Sequence, residues 1–150
     1  MATVPSDAPL IVKGRAPALA AYPHARRAGD FVFVSGVSSR RPDGTHDGVE
    51  LQRNAEGEVV ATHKDIAAQT EAVLRNIDAI LQAAGGTLKD VVDIAVFLVD
   101  MGDYAGMNAV YNRHFNAETG PSRTTVAVAA LPHPNLLVEM KAVAYLPQIS

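Results

Sequence analysis

The sequence predicts an α+β domain with two helices on one face of a mixed sheet. Three segments carry that reading: a β-branched and aromatic run at Asp30 to Gly36, an apolar stripe at three- and four-residue steps between Asp65 and Ala84, and an almost unbroken apolar run from Val91 to Val99. A chain of 150 residues fits one domain and buries roughly two thirds of its unfolded surface. With 48% hydrophobic and 19% charged residues, the composition is that of a folded core and not of a disordered chain.

The first strand is expected over Asp30 to Gly36, where Phe31, Val32, Phe33 and Val34 favour extended backbone and Gly36 punctuates. Ser38 to Asp47 follows as a polar loop turning at Pro42-Asp43-Gly44. Val49 to Ala61 reads as a hairpin turning at Glu56-Gly57. The stripe of Ile66, Val73, Leu74, Ile77, Ile80 and Leu81 then makes a helix of about five turns, closed by Gly85-Gly86. Val91 to Val99, interrupted only by Asp93, reads as a strand covered on both faces. Asp103 is placed to cap a second helix running through Phe115, with Tyr104, Met107, Tyr111 and Phe115 on its inner side. Two further strands, Arg123 to Ala130 and Leu136 to Tyr145, complete a single domain over residues 14–150 behind an N-terminal arm, residues 1–13.

The composition excludes much chemistry. Without cysteine there is no disulfide, thiolate metal site or cysteine nucleophile. A net charge of −3 leaves no broad basic field, which argues against nucleic acid or an anionic membrane as partner. The histidines at 24, 46, 63, 114 and 133 show no metal-ligand spacing, so no metal is expected. Neither a GxSxG elbow nor a phosphate loop is present. Met1 to Lys13 lacks the basic and apolar regions of a secretion signal, and a cytoplasmic protein is expected.

Two charged residues interrupt strands. Arg123 opens one, on the same face as Thr125, where its planar fork suits either a carboxylate ligand or a surface ion pair. Glu139 lies within Leu136-Leu137-Val138-Glu139-Met140, so it is desolvated, with a pKa raised into the acid–base range, or turned to solvent beside Lys141 and Tyr145, or paired with Arg123 on a neighbouring strand. Spacing alone does not decide either case.

Several segments taken together resemble the Rid family of reactive intermediate deaminases, also called YjgF proteins. They are Ala21-Tyr22-Pro23, Phe33-Val34-Ser35-Gly36, Asp100-Met101-Gly102-Asp103-Tyr104 with Asn108 and Tyr111, Gly120-Pro121-Ser122-Arg123-Thr124-Thr125-Val126, and Leu131-Pro132 with Val138-Glu139-Met140. The resemblance spans about residues 14 to 146. It implies a chorismate-mutase-like fold, a homotrimer (or a multiple of three) with sites between subunits, and hydrolysis of imines and enamines without metal or cofactor. By the same match, Glu139 activates water with Asn108 and Tyr22 as further catalytic residues, while Arg123, Ser35, Gly36 and Thr125 bind substrate. Thr125 stands where many members have cysteine, so no thiol is required, and the turn Leu131 to Asn135 looks one residue longer than usual.

A narrower set, Ala21-Tyr22-Pro23-His24, Arg27-Ala28-Gly29-Asp30-Phe31, Val34 to Asp43, Arg123 to Val128 and Leu131-Pro132-His133-Pro134, is similar to the 2-aminomuconate deaminases of bacterial aromatic degradation. Their substrate is a dicarboxylate enamine. A second carboxylate needs a second cation, and the loop Ser39-Arg40-Arg41 offers two. A general 2-imino acid deaminase would need only Arg123 and Glu139, and a metabolite-binding protein would need no turnover at all.

Overall fold

The computed structural model describes residues 7–148. Strands run over Asp7–Leu10 (β1), Ala25–Ala28 (β2), Phe31–Val34 (β3), Val49–Arg53 (β4), Val59–Lys64 (β5), Val91–Leu98 (β6), Ser122–Ala127 (β7) and Val138–Tyr145 (β8). Helices run over Ile66–Ala83 (α1) and Tyr104–His114 (α2). Six strands form one sheet in the order β1-β2-β3-β8-β6-β7, and β4 and β5 form a separate hairpin. Among the described strands only β6 and β7 pair in parallel, with α2 as the crossover between them. No helix among the described residues is long and apolar enough to cross a membrane.

The expected stripe makes α1. Asp65 caps it by accepting from the amides of Ala67 and Ala68 at 2.9 and 3.2 Å. It ends where Gly85 adopts a φ of 93°, a conformation that favours glycine, and the Gly86 amide donates back to the Leu81 carbonyl at 2.8 Å. Val73, Leu74, Ile77 and Leu81 are fully buried against Val34, Val96 and Met140 of the sheet. Each such side chain removed from water stabilises the fold by roughly 1.5–3 kcal/mol.

Four expectations change. Asp7–Leu10 is not a free arm: it pairs antiparallel with β2, so the domain reaches further towards the N-terminus than residue 14, while residues 1–6 of the expected arm lie outside the described residues. Strand β2 was not anticipated, because Ala25-Arg26-Arg27-Ala28 lacks β-branched residues and places Arg27 in the interior. That guanidinium donates to the carbonyls of Gly29 and Leu146 at 3.1 and 2.8 Å, which offsets its burial. Asp103 makes no capping bond to α2; Asp100 instead accepts from the Gly102 amide at 2.8 Å in the turn before it, and Tyr104 lies largely exposed. Finally, β6 is covered on one face only. Val91, Ile94, Val96 and Leu98 face the helices, whereas the opposite face of the sheet exposes Phe31, Phe33, Val126 and Tyr145, each at 41–44%.

Candidate active site

Strand alternation decides the surroundings of Glu139. Val138 and Met140 point into the core, so Glu139 projects from the opposite face, where it sits across from Phe97. Its carboxylate has no hydrogen bond or ion pair among the described residues. Burial raises its pKa above the ordinary carboxyl value. Two of the three alternatives read from the sequence are therefore partly true: the group faces outward and is still desolvated, whereas Arg123 projects from the other face of the sheet and does not pair with it within the chain. Gly36 lies against it, held there by paired backbone bonds between Val37 and Met140 at 2.8 and 3.0 Å. A β-carbon at Gly36 would stand 3.1 Å from the Glu139 Oε2, a tighter contact than side chains usually make, so glycine lets the carboxylate lie this close undisturbed.

Glu139, Gly36 and Tyr22 line one cavity of about 580 Å³, together with Arg15, Arg40, Arg41 and Arg75. Among the described residues, the only other carboxylate on its wall is Asp47. Asp47 takes Arg41 on Oδ1 at 2.6 Å and Arg75 on Oδ2 at 2.9 Å, and Arg41 also donates to the Thr45 hydroxyl at 3.1 Å. Arg40 donates to the carbonyl of Pro17. On the same wall His46 stacks on His133 with ring centroids 4.5 Å apart. Desolvation first, then the charges of His133, Arg40 and Arg41, lowers the pKa of His46 and favours its neutral form.

A second cluster gathers around Arg123. Its Nη1 donates to Asn108 Oδ1 at 2.8 Å, its Nη2 to the Tyr104 hydroxyl at 3.2 Å, and the guanidinium lies 4.6 Å from the centre of the Tyr111 ring. Desolvation raises the pKa of Tyr111, with Arg123 opposing that shift. Arg123, Asn108 and Tyr111 border, with Gly120 and Pro121, a cavity of about 280 Å³. The fork is thus pre-oriented, and neither partner neutralises its charge.

The two clusters do not meet within one chain. Arg123 registers with Ile94 and Ile94 with Ala142, on the face turned to the helices; Phe97 registers with Glu139 on the other face. Asn108, expected as a catalytic residue of a cleft between subunits, orients Arg123 within the chain. Three other expected contacts also differ. The Ser35 hydroxyl is turned to backbone, donating to the Pro23 carbonyl at 2.8 Å and so anchoring the segment that carries Tyr22. Ser39 is completely buried, its hydroxyl without a partner, and cannot touch a ligand in this conformation. The hydroxyl of Thr125 is likewise buried and unpartnered, beside the Arg123 cluster. Sequence reasoning missed Arg15, Arg75, Asp47 and the His46–His133 stack, which come together only through contacts distant in sequence. Among the described residues, no three His, Asp or Glu side chains gather as metal ligands would.

Residues 13–146 match the family model described as Endoribonuclease L-PSP. The chain is 40% identical over 124 residues to a RutC family protein of Pyrococcus abyssi, covering 83% of this chain and 85% of the relative. It is 38% identical over 136 residues to the 3-aminoacrylate deaminase RutC of Acinetobacter baylyi, covering 91% and 95%. The crystal structure of the YjgF gene product of E. coli superposes with a TM-score of 0.71 at 30% identity, over 92% of this chain and 98% of that one. With its sheet, its helices and almost its whole length shared in this way, the chain belongs to the Rid family, which includes YjgF and RutC.

Proposed function

We propose that this protein is a deaminase of reactive enamine and imine intermediates whose substrate is 2-aminomuconate, hydrolysed to 4-oxalocrotonate and ammonia. One observation carries the choice of substrate: the cavity holding the unpartnered Glu139 carboxylate presents four guanidinium groups against a single fixed counter-ion, Asp47. Such a wall suits a ligand with two carboxylates better than one with a single carboxylate.

In this reading the enamine is protonated on carbon to give the iminium. Glu139 takes a proton from water as the oxygen attacks C2. The resulting carbinolamine receives that proton on nitrogen, and cleavage of the C–N bond releases ammonia as the hydroxyl loses its proton to leave the ketone; that proton returns to solvent and balances the one solvent supplied to carbon. A carboxyl with a raised pKa suits both halves of that cycle. Tyr22, on the wall of the same cavity, is the residue assigned to hold the attacking water. No metal or cofactor enters this scheme.

The reaction also needs Arg123, which lies on the other face of the sheet. We therefore propose a homotrimer in which one copy supplies Glu139 and its neighbour supplies Arg123 with Asn108. The open apolar face around Phe31, Phe33 and Tyr145 is the surface such packing would cover.

The assay compares freshly generated 2-aminomuconate with 2-iminobutyrate, following ammonia release. An added charge-assisted contact worth about 1.5–3 kcal/mol should favour the dicarboxylate roughly 10- to 150-fold in kcat/KM. Equal values would replace the narrow reading with a general imino-acid deaminase. Ligand-induced stabilisation without ammonia would replace it with a binding protein.

Gly36→Ala supplies a local test. A methyl group 3.1 Å from Oε2 asks the carboxylate, the far end of a flexible side chain, to give way by a few tenths of an ångström. We expect a measurable fall in kcat with little change in melting temperature, because reaction rates are sensitive to the placement of a reacting group; an unchanged kcat would show that the carboxylate gives way at no cost to the reaction.

A further inference from the structure

Within this dicarboxylate reading, the cavity contains four arginines that could meet the remote carboxylate, and their existing bonds separate them. Arg41 is spent: its Nε and Nη2 bind Asp47 at 3.0 and 2.6 Å, and its Nη1 binds Thr45 at 3.1 Å. Arg75 is tied to the other oxygen of Asp47 at 2.9 Å. Arg40 uses Nη2 on the Pro17 carbonyl. The side chain of Arg15 has no hydrogen bond or ion pair among the described residues, although it is half-buried on the wall of the same cavity as Glu139.

The backbone that bears Arg15 is held in place. His24 clamps it: Nδ1 accepts from the Val12 amide at 3.0 Å, so the ring proton sits on Nε2 and donates to the Ala16 carbonyl at 2.8 Å. The Arg40 bond to Pro17 holds the next residue, and the His24 amide donates to the Leu10 carbonyl at 3.0 Å. A fixed backbone leaves only the Arg15 side chain to be ordered when it binds a planar anion, which favours affinity over a site whose loop must also be ordered.

We infer that Arg15 is the residue that holds the remote carboxylate of the substrate, that His24 and Arg40 position it, and that the conspicuous loop arginine Arg41 is part of the wall. This inference rests on the dicarboxylate reading and reassigns specificity within it. Arg15 then acts as a specificity-determining contact through two parallel N–H···O bonds.

The test uses two stable six-carbon dienes that differ by one carboxylate, muconate and sorbate, with affinities measured by calorimetry on the intact protein. Wild type should bind muconate at least about tenfold more tightly than sorbate. Arg15→Gln should abolish most of that preference while its sorbate affinity stays within about twofold, which also reports an intact fold. Arg15→Lys, retaining charge but not the fork, should keep only part of the preference. A wild-type ratio in Arg15→Gln, or its loss in Arg41→Gln alone, would overturn the inference and leave the dicarboxylate reading standing. Failure of wild type itself to prefer muconate would overturn that reading and the inference with it.

Discussion

Glu139→Gln is expected to lower kcat for deamination by about 10²–10⁴-fold, the usual contribution of a general acid–base group. The amide keeps the shape of the side chain and its neighbours Gly36 and Tyr22, but it cannot accept the proton from water. Loss of fold is separable from loss of chemistry by the sign of the carboxyl's pKa shift. Burial raises that pKa in the folded chain, so the folded state binds this proton more tightly than the unfolded state does. The resulting stability penalty is absent below the unfolded-state pKa, grows as pH rises between the two values, and is complete above the folded-state one. Glutamine carries no such penalty, and at pH 7 the variant should melt no lower than the parent. For the same reason the acid limb of kcat/KM in wild type should lie above the ordinary carboxylate range. Retention of more than about a tenth of kcat by Glu139→Gln would move the base elsewhere.

Mixed oligomers should recover activity that neither parent has. Glu139→Gln removes the base from one face of the sheet, and Arg123→Ala removes the carboxylate fork from the other. If each site takes its base from one copy and its fork from the next, then random assembly of the two inactive chains at equal amounts rebuilds about one site in four. Co-expression with two affinity tags, followed by purification on both in turn, isolates the mixed species. Its ammonia release per chain should be a substantial fraction of wild type. Activity no higher than the sum of the parents would show that Arg123 and Glu139 act within one chain or not in one site.

Local signals marked the helices and the later strands clearly. The stripe from Asp65 to Ala84 became α1 within a residue at each end, because its period and its capping aspartate are properties of neighbouring residues. The hairpin turned at Glu56-Gly57 as expected, although its second strand runs on to Lys64. Strands β1 and β2 were illegible for the opposite reason: the buried Arg27 finds a partner in the carbonyl of Leu146, 119 residues away. The site divides in the same way. Arg123 and Glu139 were visible because each breaks a strand pattern. Arg40 and Arg41 were visible because they are adjacent, yet Asp47 and Pro17 already engage them. Arg15 carries no pattern of its own and joins the cavity only when β1, β2 and the loop after β3 have come together.

Alternation along β8 also guards against misfolding. Val138, Met140, Ala142 and Ala144 are fully buried beneath the helices, and Glu139 and Lys141 occupy the positions between them. A slip of one residue during collapse would drive both charges under α1 and bring the methionine out. Desolvating an unpaired charge there costs several kcal/mol, comparable to much of a small domain's net stability of about 5–15 kcal/mol. Misaligned intermediates are therefore rejected by the same carboxylate that the mature site uses on water. Replacing it by an uncharged residue should leave the native state intact while lengthening the search for it, with slow refolding phases that the parent lacks.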